Sequence, residues 1–163
     1  MDPKPEKERK AVVIDTNVVF ASILKKASYT RQVLVYLIDV IGIDAYTPEK
    51  TIEEIEDHLE ELARRKGVNV EELSLAVKIL LVTVKIVEES EYAEYLGQAQ
   101  NYAVDPGDVD FVALALALAR KYDFVILLTW NKDDYKENDL KGHNVFVATP
   151  SKVMQLLDND PKV

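Results

Sequence analysis

Two short stretches of this chain are apolar at every position: Ala11-Val12-Val13-Ile14 and Phe124-Val125-Ile126-Leu127-Leu128. A strand with one wet face alternates apolar and polar residues, so a strand without polar positions must be covered on both faces. Between and after these runs, apolar residues recur at helical spacing. Buried strands that alternate with helices leave one economical arrangement, a parallel sheet whose crossover helices lie on both sides. The expected fold class is therefore α/β. It is a three-layer α/β/α sandwich around a central, mostly parallel sheet of about five strands.

The other elements follow from local chemistry. Residues 17–26 and 30–41 carry helical spacing, with Leu34, Leu37, Ile38 and Ile41 on one side of the second, and Gly42 stops it. Ile43 to Tyr46 is the second strand. Thr47-Pro48 has the form of a helix start, Thr as cap and Pro at the first helical position. Ile52, Ile55, Leu59 and Leu62 then recur until Lys66-Gly67, and Asn69 caps a helix with Leu73, Val77 and Leu80. Val82 to Val87 alternates and is β-branched, which predicts the third strand. Ser90 opens a helix through Tyr95 and Ala99. Asp105-Pro106-Gly107-Asp108 is a turn ending in a cap, ahead of an apolar helix from Val109 to Tyr122. Phe124 to Leu128 is the fourth strand, Val145-Phe146-Val147 the fifth, and Thr149-Pro150 launches a last helix.

A length of 163 residues fits one domain, read here as 11–158, with a charged arm over 1–10 and a tail over 159–163. The absence of Cys excludes thiolate nucleophiles, iron–sulfur clusters and Cys-based zinc sites. The first ten residues hold no apolar core of a signal peptide, and the apolar stretch Phe111 to Ala119 is too short to span a bilayer. The expectation is a cytoplasmic protein with no membrane partner. A formal charge of −9 argues against broad basic coating of nucleic acid. It leaves room for a metal-dependent nuclease, in which the ions rather than side chains meet the phosphate.

Ligands of open parallel sheets bind beyond the carboxyl ends of the strands. The first strand ends in Asp15-Thr16-Asn17, the second leads into the acidic helix 48–65, the turn 105–110 opens another helix, and the fourth strand ends in Thr129-Trp130-Asn131-Lys132-Asp133-Asp134. Each station has an ordinary reading. Asp15 and Asp108 could be helix caps, Asp110 a first-turn acid favouring the helix dipole, the Glu residues from 49 to 61 a solvated face, and Asp133 and Asp134 loop acids. Glu54 differs from its neighbours in lying early in its helix beside Ile52 and Ile55. Carboxylates that converge repel, and a divalent cation relieves that repulsion. Mg²⁺ or Mn²⁺ suits an oxygen-only set without His or Cys. His58 and His143 lack metal-ligand spacing and read as surface residues, and the Tyr residues read as core and rim.

With these motifs in view, the chain resembles the PIN-domain ribonucleases, the group that includes the VapC toxins of toxin–antitoxin pairs. The resemblance rests on Val13-Ile14-Asp15-Thr16-Asn17-Val18, on Pro48 followed by Glu53-Glu54-Ile55, on Asp108-Val109-Asp110-Phe111-Val112-Ala113-Leu114-Ala115, and on Leu128 to Tyr135. It implies that the first strand is central, flanked by the second and fourth. It also implies an endoribonuclease in which Asp15, Glu54, Asp108 and Asp134 hold one or two Mg²⁺ or Mn²⁺ ions that activate water. Asn17 and Thr129 match supporting polar positions, and Thr16, Asn131 and Asp110 complete that set, with Asp110 an alternative to Asp108. At Asn131 the family often has Asp, so that station is weaker in charge here, and Asn131, Asp133 or Asp134 could complete it. The implied partners are an RNA substrate, a cognate antitoxin or other protein, and a second copy in a homodimer. The surplus of apolar helix positions in residues 73–103 also favours that dimer.

Two other classes compete. A catalytically weak or inactive PIN-like module that binds RNA or protein would keep the fold without the chemistry. A haloacid-dehalogenase-like phosphatase would need a second Asp two residues after Asp15, where this chain has Asn17. No Gly-x-Ser-x-Gly elbow and no Gly-rich phosphate loop are present.

Overall fold

The computed structural model describes residues 8–24 and 28–158. Residues 1–7 of the expected arm, residues 25–26 of the first expected helix and the tail 159–163 lie outside the described residues.

In chain order the elements are β1 (Lys10–Ile14), α1 (Thr16–Leu24), α2 (Tyr29–Val35) running into a π-helical turn (Tyr36–Ile41), β2 (Asp44–Pro48), α3 (Glu49–Lys66), α4 (Val70–Thr83) and β3 (Lys85–Val87). Two 3₁₀ turns (Glu89–Glu91, Ala93–Tyr95), the short α5 (Leu96–Ala99) and a 3₁₀ turn (Pro106–Asp108) lead into α6 (Val109–Leu118). Then come β4 (Phe124–Leu128), a 3₁₀ turn (Lys132–Asp134), α7 (Glu137–Lys141), β5 (Val145–Ala148) and α8 (Val153–Asp158).

The five strands form one sheet in the order β3-β2-β1-β4-β5. Every pairing is parallel, so β1 is central and flanked by β2 and β4 as the resemblance implies. Register explains the absence of polar positions in the strands. Val12, Ile14, Phe124, Ile126, Leu128 and Phe146 face a core shared with α1, α2, α3, α4 and α8. Ala11, Val13, Val125, Leu127, Val145 and Val147 face the other core, with α6, Tyr92, Tyr135 and Leu140. Side chains alternate between faces along a strand, and both faces here are dry. Each such Val, Leu or Ile contributes about 1.5–3 kcal/mol by burial. Truncating a central one, such as Ile126→Ala, would cost about 2–5 kcal/mol.

Four expectations need correction. The third strand covers only Lys85–Val87, because α4 continues to Thr83 and Val84 N–H still bonds to the Leu80 carbonyl at 3.0 Å. Packing of Leu73 and Val77 outweighs the strand propensity of Val82-Thr83-Val84, and Val82 ends 86% exposed. Thr47 does not cap α3. Its hydroxyl donates to the Ile14 carbonyl at 3.0 Å, tying β2 to β1, and Pro48 occupies the cap position as the last strand residue. The helix expected from Ser90 is instead two 3₁₀ turns and one α-turn, a path that buries Tyr92 beneath α6. The last helix begins at Val153, after a turn in which Thr149 accepts the amides of Lys152 and Val153.

Candidate metal centre

The chain passes from β1 into α1 through Asp15. Its amide donates to the Leu128 carbonyl at 3.0 Å, extending the β1–β4 ladder, and its carbonyl accepts the Val18 and Val19 amides that open the helix. The backbone is thus fixed from both sides, and only 3% of the residue is exposed. The carboxylate turns toward the end of β4 rather than acting only as a cap. The hydroxyls of Thr129 and Tyr135 donate to its Oδ2 at 2.9 and 2.8 Å.

Thr129 is saturated. Its oxygen accepts Asn17 Nδ2 at 3.2 Å and the Asn131 amide at 3.1 Å, so its one proton has only Asp15 to serve. The Asn17 amide oxygen in turn takes the Trp130 N–H at 3.0 Å. The network locks the turn after β1 to the loop after β4. Thr16 lies in the same turn, its hydroxyl 3.4 Å from that of the buried Thr51 on α3.

Burial raises the pKa of Asp15 above the carboxylate norm. The Tyr135, Thr129 and Thr16 hydrogen bonds pull the other way, and the charge of Asp134 adds to the rise. Asp108 is half-buried and stands at the start of α6 without capping it; the turn is capped by Asp105, whose carboxylate takes the Gly107 amide at 2.8 Å. Its pKa is pushed up to about 7, by burial first and then by Asp15, Asp134 and Asp105, with Lys50 opposing. Tyr135 is held protonated far above its usual range by burial and by Asp15 and Asp108. Asp15, Asp108 and Asp134 therefore share one field around the Tyr135 hydroxyl.

The remaining expected side chains take no part in the hydrogen bonds to Asp15. Glu54 is exposed on α3 and, among the described residues, makes no hydrogen bond or ion pair. Asp110 is turned away from Asp15: its Oδ1 lies 3.3 Å from Lys50 Nζ and its Oδ2 accepts Tyr92 OH at 2.7 Å. Asn131 is exposed and contributes its backbone amide to Thr129. Asp133 is exposed beside the half-buried Asp134. The segment 102–104 passes along 134–136: Val104 N–H bonds to the Asp134 carbonyl at 2.8 Å and Lys136 N–H to the Tyr102 carbonyl at 2.8 Å. This bridge ties the approach to α6 to the loop after β4. His143 meets the hydroxyl of Tyr102 at 2.9 Å and its ring at 5.3 Å, on the surface.

Sequence reasoning missed Tyr135, Lys50 and Tyr92. Tyr135 follows Asp134 directly, but nothing in one sequence separates a site tyrosine from a core one.

The donor chemistry of the cluster fits a hard divalent cation. It offers carboxylate oxygens, and among the described residues the cation that acts on Asp108 is Lys50, whose ammonium is engaged by the Gly107 carbonyl and Asp110. Among the described residues no three acidic or imidazole side chains are already close enough to cage an ion. The carboxylates would have to draw together on one.

Three comparisons bear on identity. The sequence model of the PIN domain matches residues 13–121, more than half of the chain. That span includes Asp15, Glu54 and Asp108 and stops short of β4. Among solved structures, one from Rickettsia felis, VapBC2 bound to a DNA fragment from their promoter, has a TM-score of 0.58. The similarity covers 85% of this chain and 98% of that one at 14% identity, which speaks to the fold alone. No protein among the curated ones matches. The order of the acidic stations, the parallel five-stranded sheet and the family match lead to one assignment: the chain belongs to the PIN-domain family, a family of nucleases.

Proposed function

We propose that this chain is an endoribonuclease that depends on Mg²⁺ or Mn²⁺, with its centre on Asp15, Asp108, Asp134 and Glu54. The observation that carries this reading is the gathering of buried Asp15 after β1, half-buried Asp108 before α6 and half-buried Asp134 in the turn after β4 around Tyr135, whose hydroxyl donates to Asp15. Carboxylates kept in such company without a cation are costly to the fold. Asp15 and Asp108 would be the principal holders, with Asp134 and Glu54 reaching the ion less directly. A divalent ion held there would supply Lewis acidity, lowering the pKa of water so that hydroxide is available to attack a phosphodiester near neutral pH.

The chain's own side chains do the positioning. Thr129 and Tyr135 fix Asp15 Oδ2, and Asn17 fixes Thr129, so the carboxylate cannot rotate away from the cleft. Thr16, Asn131 and Asp110 would support the same set from its margins. Trp130, 38% exposed at the rim, offers a ring on which an unpaired base can stack. The choice of RNA rests on resemblance to the VapC-like ribonucleases, as do a toxin role and a cytoplasmic location. No described helix is long and apolar enough to cross a membrane.

The solved neighbour is a VapBC assembly, and this supports a protein partner such as an antitoxin for the present chain. A homodimer is the other proposed assembly. Apolar residues Val35, Val40, Leu75, Ile79 and Val82 are exposed along α2, its π-helical extension and α4, a face that association would cover. Sedimentation at micromolar concentration returning 18.5 kDa, the mass of one chain, would exclude that dimer.

A second reading, an inactive PIN-like module that binds RNA or protein, is favoured by Asn131 in place of an acid and by the absence of a ready-made cage among the described residues. One experiment separates the two. Single-stranded RNA is incubated with Mn²⁺, with Mg²⁺ and with EDTA. Cleavage that stops with EDTA supports the enzyme, whereas binding without cleavage across metals and substrates supports the module.

A further inference from the structure

Asp108, unlike Asp15, sits at the end of a loop and not at the end of a strand, so its placement depends on what holds that loop. The peptide unit that precedes it is held at both polar ends. Its carbonyl, that of Gly107, accepts Lys50 Nζ at 2.6 Å, and its N–H, that of Asp108, donates to the Asp105 carbonyl at 3.0 Å. Lys50 comes from the first turn of α3, the helix that also carries Glu54 one turn later. The same ammonium lies 3.3 Å from Asp110 Oδ1 and 5.7 Å from the centre of the Phe111 ring, both in the first turn of α6. Asp110 is fixed in turn by the hydroxyl of Tyr92, which is 1% exposed.

From this geometry we infer that Lys50 is a positioning residue: with Asp110 and Tyr92 it brackets the loop carrying Asp108 against α3 and so sets the centre's affinity for a divalent cation. The inference rests on the reading of Asp15 and Asp108 as cation ligands and adds to it a role for three residues outside the acidic quartet. It also assigns Asp110 to the bracket rather than to the ion.

The inference makes a prediction opposite in sign to plain electrostatics. An ammonium beside a cation site repels the cation, and removing it would also leave Asp110 uncompensated. On Coulomb grounds alone, Lys50→Met should bind Mn²⁺ more tightly. If Lys50 acts by position, Lys50→Met frees the Gly107–Asp108 peptide and binding weakens. Losing a residue that orients a ligand typically costs about 10–100-fold in metal affinity, and the lower end, about tenfold, is expected here. Lys50→Arg keeps a cationic donor for Gly107 and Asp110 and should recover most of the loss. Tyr92→Phe changes no charge, so a purely Coulombic account predicts no effect and the bracket predicts weaker binding.

The experiment titrates Mn²⁺ into wild type, Lys50→Met, Lys50→Arg and Tyr92→Phe, following free Mn²⁺ by electron paramagnetic resonance. Melting in EDTA shows that each variant is folded at the titration temperature. Weaker binding in Lys50→Met with recovery in Lys50→Arg supports the bracket. Equal or tighter binding in a folded Lys50→Met, beside a wild type that binds, overturns it while leaving the metal reading intact. If Lys50→Met does not fold, unchanged affinity in Tyr92→Phe overturns the bracket in its place. A wild type that binds no Mn²⁺ ends both the inference and the metal reading.

Discussion

The two edges of the same sheet treat their carboxylates in opposite ways. At the amino edge, Asp44 receives the Tyr122 hydroxyl at 2.6 Å and lies 3.8 Å from Lys85, while Asp123 accepts the Arg9 amide at 2.6 Å. Arg9 and Lys85 also lie over the rings of Tyr122 and Tyr46. Each of these two acids has a hydroxyl, an amide or an ammonium as its partner. At the carboxyl edge, Asp15 is met by two hydroxyls and a backbone amide, and among the described residues Asp108 feels the charges of Asp15, Asp134 and Asp105 with Lys50 opposing them. Acids with partners belong to the structure of the fold. At the carboxyl edge burial first, and neighbouring carboxylates after it, raise the pKa of Asp15 and Asp108, a pattern that marks candidate functional sites.

The comparison breaks most sharply at Asp15. Asp15→Asn should remove RNA cleavage by at least about a hundredfold, because several kcal/mol of metal-derived stabilisation are at stake and 1.4 kcal/mol is a factor of ten. The melting temperature in EDTA should stay level or rise, since the substitution removes a buried charge from a repelling set. Full activity in a folded Asp15→Asn would falsify the nuclease mechanism. Next in size is the effect of the ion itself. Mn²⁺ at a hundred times its dissociation constant should stabilise the wild type by about 2.7 kcal/mol, read as a rise in melting temperature that EDTA reverses. No rise at millimolar Mn²⁺ would place the carboxyl edge in the same class as the amino edge.

The acidic edge also has a pH signature. Asp108 has its folded pKa raised from 3.8 to about 7. Between those values the unfolded chain releases this proton and the folded chain keeps it. The stabilisation is therefore complete below about pH 4 and is lost as pH rises toward 7. In EDTA the melting temperature should be higher at pH 5 than at pH 8, and Asp108→Asn should flatten that difference. A wild type whose melting temperature rises from pH 5 to pH 8 in EDTA would contradict the raised pKa.

The contrast between the edges was only half legible in the sequence. The wholly apolar runs at β1 and β4 required a sheet covered on both faces, and their register puts Val12 and Val13 into different cores as that reading demands. Asp15 and Thr129 were legible because they end such runs. The helix boundaries around Thr47, Thr83 and Ser90 were not, since tertiary packing and hydrogen bonds across 33 residues, such as Thr47 to Ile14, decide them. Asp108 and Asp110 could not be ranked from spacing alone. Lys50, 57 residues before Gly107, engages the Gly107 carbonyl and Asp110, and no local pattern encodes that pairing.

At the amino edge the expected effects are structural and modest. Asp44→Asn removes a charge from a bridge whose Lys85 side chain is 61% exposed, and it keeps an oxygen for Tyr122. Exposed pairs contribute about 0.2–1 kcal/mol, so a drop of a few degrees at most is expected. Mn²⁺ affinity and RNA cleavage should match wild type. A large loss of cleavage with unchanged stability would mean that this edge also contacts substrate.

The smallest effect is the most discriminating, because it compares neighbours within one turn. Asp133 and Asp134 share the 3₁₀ turn after β4, yet only Asp134 is half-buried and felt by Asp15, Asp108 and Tyr135. Asp133 is exposed and has no hydrogen bond or ion pair among the described residues. Asp133→Asn should thus leave stability within about 0.5 kcal/mol and cleavage near wild type. Asp134→Asn should lower Mn²⁺ affinity and cleavage together, since it removes one of the carboxylates that the ion must draw in. The test assays both variants side by side for Mn²⁺ binding and RNA cleavage. If the ranking inverts, the acid at this station is Asp133, and the turn must rotate by one residue when the ion binds.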